Sequence, residues 1–328
     1  MKHKLLISFF LILIIVSIFF GFGYTGKVSE YITPDEQGSI DVYFCPADNC
    51  REVYSNIIKD SNNINCAIFE MDSIIQEFDR KSSVTNVKIV SDNSAKHKLT
   101  NFSFVRFDNN NQLMHNKFCL FEKNNKKFIL TGSLNPTENG FNKDRNNLVV
   151  IGSNYLYENY KEEFNELWNG FYGEGEKVQY SRIYFNGFLL ENYFCPEDEC
   201  ESKLFNLIKN SNERIYFMTF SFTSDTIGDY IIKKSSEGID VKGIFDKLKD
   251  DKYSEFSKMK EKKLNVKVYE GALLHHKVFI IDDTVLFGSY NPTSSGDERN
   301  DENIIIIHDK EIADKFVKEL NYLFENGK

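Results

Sequence analysis

The sequence is short of proline, tryptophan and histidine, and it carries no surplus of positive charge. Five prolines and one tryptophan in 328 residues, against 41% hydrophobic and 15% aromatic residues, leave a globular composition with room for two domains. A formal net charge of -9 argues against a protein that lays a broad basic face on nucleic acid. It leaves room for a small, locally positive site.

One long uncharged run is present, Leu5 to Phe22, behind Lys2, His3 and Lys4. At about 1.5 Å per residue it would just cross a bilayer core of roughly 30 Å. The basic start predicts a signal anchor over residues 1–26, with its N-terminus in the cytoplasm and the rest of the chain outside. A signal peptide cleaved near Gly21 to Gly23 is the alternative and would make the protein secreted.

Cysteine is sparse but patterned. Four of the six lie in two copies of one motif, YFCPADNC with Cys45 and Cys50, and YFCPEDEC with Cys195 and Cys200. In an exported chain each pair reads first as a local disulfide, and second as half of a shared zinc site. Cys66 and Cys119 sit in apolar runs and read as buried small hydrophobes.

The cysteine motifs belong to a longer internal repeat. Residues 39–171 and 187–328 run in the same order: a strand, the Cys motif and a helix, further strands, a histidine segment, then an apolar strand and an amphipathic helix. Strands alternating with helices predict an α/β fold with buried strands and helices on both faces. The expected division is 27–171 for the first repeat with its tether, residues 24–38, and 172–328 for a connection and the second repeat.

The histidine segments carry the chemistry. Each has His-x-Lys, four residues, an acid, and then Gly-Ser-x-Asn: His115, Lys117, Ser133 and Asn135 in one copy, His275, Lys277, Ser289 and Asn291 in the other. On a strand the intervening residue puts His and Lys on one face. Imidazole, ammonium, hydroxyl and carboxamide together suit a phosphate. Two copies in equivalent places could meet in one cleft, where one histidine attacks phosphorus and the other protonates the leaving oxygen.

With these motifs the chain resembles the phospholipase D superfamily from about Ile40 onward. The resemblance implies two tandem α/β/α sandwich repeats related by pseudo-two-fold symmetry, one active site between lobes, a phosphohistidine intermediate, and no metal or other cofactor. Two departures stand out: Glu122 replaces the motif's Asp in the first copy, where Asp282 is kept in the second, and the first hairpin is longer. His276, at the variable position, is expected to face away and be structural. Glu302 matches the acid that steadies a catalytic histidine in many relatives, with Asn146 as its counterpart. The expected pairing within each repeat puts Glu302 on His275 as proton donor and leaves His115, beside Asn146, as an uncharged nucleophile.

The expected activity is phosphodiester hydrolysis on a phospholipid headgroup at the membrane surface, by a single-pass, extracytoplasmic protein that works as a monomer with both half-sites in one chain. A nuclease is the main alternative, because SAKHKL around His97 and the lysine-rich stretch from Lys247 could bind phosphates, although acids interrupt the second. Phosphatidyl transfer to an alcohol and a non-catalytic binding protein complete the range.

Overall fold

The computed structural model of the protein describes residues 33–249 and 252–327. The expected span from Leu5 to Phe22 lies outside the described residues, among which no helix is long and apolar enough to cross a membrane.

Strands in chain order are β1 (Asp35–Glu36), β2 (Ser39–Cys45), β3 (Asn63–Ile68), β4 (Asn86–Ser91), β5 (Val105–Phe107), β6 (Lys117–Lys123), β7 (Lys126–Gly132) and β8 (Asn146–Gly152). The second half adds β9 (Arg182–Phe185), β10 (Phe188–Cys195), β11 (Arg214–Thr219), β12 (Asp240–Asp246), β13 (Asn265–Tyr269), β14 (Lys277–Ile281), β15 (Thr284–Gly288) and β16 (Glu302–Ile307). One sheet has the order β2-β8-β7-β6-β3-β4-β5, and the other β1-β9-β10-β16-β15-β14-β11-β12-β13. Seven strands of each sheet correspond one to one, so the internal repeat of the sequence is a repeat of structure. In both, the segment after the first long strand leads through a helix to parallel neighbours, β3 with β4 and β11 with β12. The histidine strand then inserts antiparallel, β6 beside β3 and β14 beside β11. Part of the expected tether is strand: Asp35 and Glu36 pair in parallel with β9, at the edge of the sheet of the other repeat.

The central strands are near-continuous apolar runs because both faces are covered. The long helices Asn154–Asn169 and Lys310–Asn326 start where Ser153 and Asp309 accept the backbone N–H of Leu156 and Ile312. Their buried stripes, Leu156, Tyr160, Phe164 and Leu167 on one and Ile312, Phe316, Leu320 and Leu323 on the other, join residues of both sheets in a single core. Phe118 of β6 meets Tyr160 at 4.9 Å between ring centroids, and Tyr160 meets Phe194 of β10 at 4.8 Å. This shared core fixes the two repeats against each other. Each repeat keeps a further core under its outer helices.

All six cysteines are paired: Cys45 with Cys50, Cys195 with Cys200, and Cys66 with Cys119. The local pairs agree with the first reading and leave no thiolate for zinc. The third corrects the expectation that Cys66 and Cys119 are free. They are directly opposite in the β3–β6 ladder, a neighbourhood that depends on strand register and that spacing along the chain does not reveal. Replacing both Cys66 and Cys119 by Ala should cost about 2–4 kcal/mol in denaturant unfolding, because the bridge closes a long loop in the unfolded chain. An unchanged midpoint would show that the bridge contributes nothing.

Candidate active site

Each histidine lies two residues before its strand and is held by the other repeat. The His115 N–H donates to the carbonyl of Asp301 at 3.0 Å, and the His275 N–H to the carbonyl of Arg145 at 2.9 Å. Met114 and Asp301 form one isolated parallel bridge and Arg145 and Leu274 the other. The approaches to β8 and β16 therefore cross to the opposite histidine segment. Two aspartates hold the residues just before the histidines: Asp92 accepts the Met114 N–H at 3.2 Å, and Asp246 the Leu274 N–H at 2.7 Å.

This crossing corrects the expected orienting pairs. His115 Nδ1 lies 2.8 Å from Oε2 of Glu302, and His275 Nδ1 lies 2.9 Å from Oδ1 of Asn146. Residues 146 and 302 follow the bridging residues Arg145 and Asp301, so each first strand residue presents its side chain to the partner histidine. The carboxylate belongs to His115 and the amide to His275, the reverse of a pairing within each repeat.

The serines of the Gly-Ser-x-Asn turns stand behind these contacts. Ser133 Oγ donates to Asn146 Oδ1 at 3.1 Å and accepts the Asn147 N–H at 3.0 Å. Ser289 Oγ accepts the Asn303 N–H at 2.9 Å, one residue beyond Glu302. Both serines are fully buried, with their hydroxyls bonded to the strands that carry the orienting residues. The preceding glycines are required: Gly132 and Gly288 have φ of 141° and 155°, and a Cβ would meet the carbonyl oxygen of Asn147 at 2.3 Å or of Asn303 at 2.1 Å. Asn291 Oδ1 accepts the Ser221 N–H at 3.3 Å, while Asn135 is half-buried at the matching place in repeat one.

Lys117 and Lys277 turn back to the histidines, their Nζ atoms donating to the carbonyls of His115 at 2.7 Å and His275 at 2.9 Å. Phe69 and Phe220 close the sides. Their ring centroids lie 4.9 and 5.1 Å from the imidazoles, and 5.1 and 5.0 Å from the two ammonium groups. The intervening residues do face the lobe interface: Asn116 donates to Glu163 at 3.0 Å, and His276 lies 3.3 Å from Asn147 and 3.7 Å from Glu319. The motif acids stand at the far ends of their strands. Glu122 accepts from the Tyr157 hydroxyl at 2.7 Å, and Asp282 accepts the N–H groups of Asn212, Glu213 and Arg214. Five residues of strand put them roughly 16 Å from the lysines.

Burial pushes both histidines well below their ordinary range, and the two lysines push them further. Burial also lowers Lys117 to about 7 and Lys277 well below its usual value, while it raises Glu302 to about 8. Each lysine lowers both histidines, which places the two half-sites within one electrostatic neighbourhood. The assembly is a desolvated set of bases and donors matched to an oxyanion. Among the described residues no group of His, Cys, Asp or Glu is arranged to hold a metal ion.

Behind His115 the bridging residue is a buried acid, where the equivalent behind His275 is a cation. Asp301 is pushed up to about 8, first by burial and then by Glu197 and Asp108. Arg145, its equivalent, is a cation hydrogen-bonded to Tyr269 at 3.0 Å. A carboxyl whose folded pKa exceeds its unfolded value binds extra protons in the fold, so its stabilising protonation is lost as pH rises through about 4 to 8. Asp301→Asn, which can keep the acceptor for the Gly173 N–H, removes that loss. Its unfolding free energy relative to the parent should climb between pH 4 and pH 8, by about a few kcal/mol in denaturant titrations. A pH-independent difference would refute the buried-acid account.

Asp92, Asp246, Phe69, Phe220 and the Asp301 and Arg145 carbonyls were not identified from the sequence as site residues. Phe69 and Phe220 occupy matching positions of the two repeats, a signal that was present.

Both repeats match a family model described as "Cardiolipin synthase, PLD-like domain", over residues 47–168 and 204–324. The phospholipase D of Rickettsia conorii is 32% identical over 129 residues, covering 38% of this chain and 64% of that protein. The mitochondrial cardiolipin hydrolase of Chlamydomonas reinhardtii is 24% identical over 142 residues, 40% of this chain and 64% of the relative. The chain thus spans just under two thirds of the length of these curated relatives. Among solved structures, phosphatidylserine synthase of Haemophilus influenzae superposes with a TM-score of 0.64 at 12% identity, covering 87% of this chain and 86% of that one, a likeness of fold.

Proposed function

Since this chain belongs to the phospholipase D superfamily, as its family match across both repeats shows, we propose that it hydrolyses a phosphodiester through a phosphohistidine. The observation that carries the proposal is the crossed pair, in which Glu302 orients His115 and Asn146 orients His275 beside two buried lysines.

In the first step Nε2 of His115 attacks phosphorus and the bond to the leaving oxygen breaks. His275, in its protonated form, gives its proton to that oxygen. A phosphodiester anion between Lys117 and Lys277 favours the charged forms that burial opposes, so substrate binding itself supplies the protonation the step needs. The phosphorylated ring of His115 carries positive charge while Nδ1 keeps its proton, and the Glu302 carboxylate 2.8 Å away stabilises it. His275, now neutral, takes a proton from water as the water displaces the imidazole and restores His115. Because the crossing sets the carboxylate beside His115 and the amide beside His275, it is the charge of the intermediate that favours His115 as nucleophile.

The substrate we propose is a phospholipid headgroup diester. The net charge of -9 favours a target that needs one phosphate neutralised over one that needs many. The likeness to a phospholipase D and a cardiolipin hydrolase supports the same class. Three disulfides support export to an oxidising compartment, with the N-terminal run as anchor. Turnover of phosphatidylcholine, cardiolipin and single-stranded DNA in EDTA, with His115→Ala as blank, tests this. Lipid hydrolysis that vanishes in the blank is expected; DNA cleavage with untouched lipid would make the protein a nuclease instead.

A further inference from the structure

Each repeat carries a surface cleft between its first long strand and the helix after the local disulfide. The cleft of repeat one is about 320 Å³ and has Tyr43, Val53, Asn56, Phe128 and Val150 in its lining. The cleft of repeat two is about 510 Å³ and keeps Tyr193, Asn206 and Ile306 at the corresponding places. There Lys203 stands for Val53, Thr284 for Phe128, and His308 for Gly152, while Arg182 enters from β9, a strand with no equivalent in the first sheet. The fold explains a cleft in both repeats. Repeat one has charges of its own in this lining, Asp41, Asp60 and Lys123, but it places Val53, Phe128 and Gly152 where repeat two has Lys203, Thr284 and His308, so the fold does not explain these three or the added Arg182.

Those charges are arranged unequally. His308 is fixed at both nitrogens, Nε2 at 2.7 Å from Oε1 of Glu191 and Nδ1 at 3.1 Å from Thr284 Oγ1. The other oxygen of Glu191 accepts from the Tyr193 hydroxyl at 2.7 Å. Asp282 spends its carboxylate on three backbone N–H groups. Both acids of the cleft are thus satisfied internally. The cations are held more loosely: Lys203 lies 4.5 Å above the Tyr193 ring, and Arg182 Nε forms an ion pair with Glu191 at 3.9 Å, beyond hydrogen-bonding distance. What the cleft offers a visitor is donors, from Lys203, Arg182 and the amides of Asn206 and Asn210, above an apolar floor of Ile281 and Ile306.

We propose that this cleft binds a small organic anion, a carboxylate or phosphate carried on a hydroxylated frame, with Lys203 and Arg182 as its charge partners. It stands at the end of β14 remote from Lys277, roughly 16 Å along the strand, so it is separate from the cleft of the two histidines. The amides would serve the hydroxyls, and the locked His308 sets the width of the floor.

The test uses the full chain with isotope-labelled histidine at fixed pH, titrated with inorganic phosphate, glucuronate and, as neutral control, glucose. The His308 ring signals report this cleft, and those of His115 and His275 report the other, so the two sites are read separately. A saturable His308 shift with either anion and none with glucose is expected; phosphate alone would assign a phosphoryl ligand and glucuronate alone a carboxylate. In the Lys203→Ala, Arg182→Ala double variant the His308 response should weaken at least about tenfold, a loss the two removed ion pairs can supply, with diesterase turnover unchanged. A His308 signal unmoved by both anions, moved equally by glucose, or equally responsive in the double variant would overturn the proposal.

Discussion

His275→Asn should leave a protein that phosphorylates itself on His115 and stalls, whereas His115→Asn should form no phosphoenzyme at all. Steady-state turnover should fall in both, by about 10³–10⁴-fold for His275→Asn, the upper part of the range for a lost general acid and base. The two part company with a diester whose leaving group needs no proton, such as a nitrophenyl ester. There His275→Asn should release a burst of about one nitrophenol per enzyme and then stop, because the second step still needs its base. Mass spectrometry of the quenched protein should place the phosphoryl group on the peptide containing His115. The reverse pattern, a trapped group on His275, would exchange the two roles and with them the function assigned to Glu302.

The residues of the candidate site were legible because the motif is local and written twice. His115 with Lys117 and His275 with Lys277 share a strand face, and period-two alternation is enough to say so. The same alternation sends Asn116 and His276 to the opposite face, where they meet Glu163 and Glu319. Contacts between the repeats could not be read this way. Glu302 and Asn146 open equivalent strands, and nothing in the spacing of either repeat tells whether they serve the near or the far histidine; the bridges at Asp301 and Arg145 decide it. Cys66 and Cys119 posed the same difficulty, since their pairing follows from the register of β3 against β6. That the serine hydroxyls bond Asn146, Asn147 and Asn303 is likewise a tertiary contact that a sequence does not show.

Glu302→Gln separates the charge of this residue from its shape. Gln still offers His115 Nδ1 an acceptor, making that pair resemble the one His275 forms with Asn146. What disappears is the carboxylate that faces the positive charge of the phosphorylated ring. Turnover should fall about 10²–10³-fold, comparable to losing one preorganised electrostatic partner of a transition state. Stability should move the other way. Glu302 is fully buried, and burial holds its pKa at about 8, so the fold gives up stability as pH rises through about 4 to 8. The neutral amide avoids that loss, and the variant should melt higher than the parent at pH 8 with a smaller margin near pH 5. A variant both slower and more stable would identify Glu302 as a group the fold retains for the reaction. Full activity in Glu302→Gln would reduce its part to orienting the ring, which an amide already does for the other histidine.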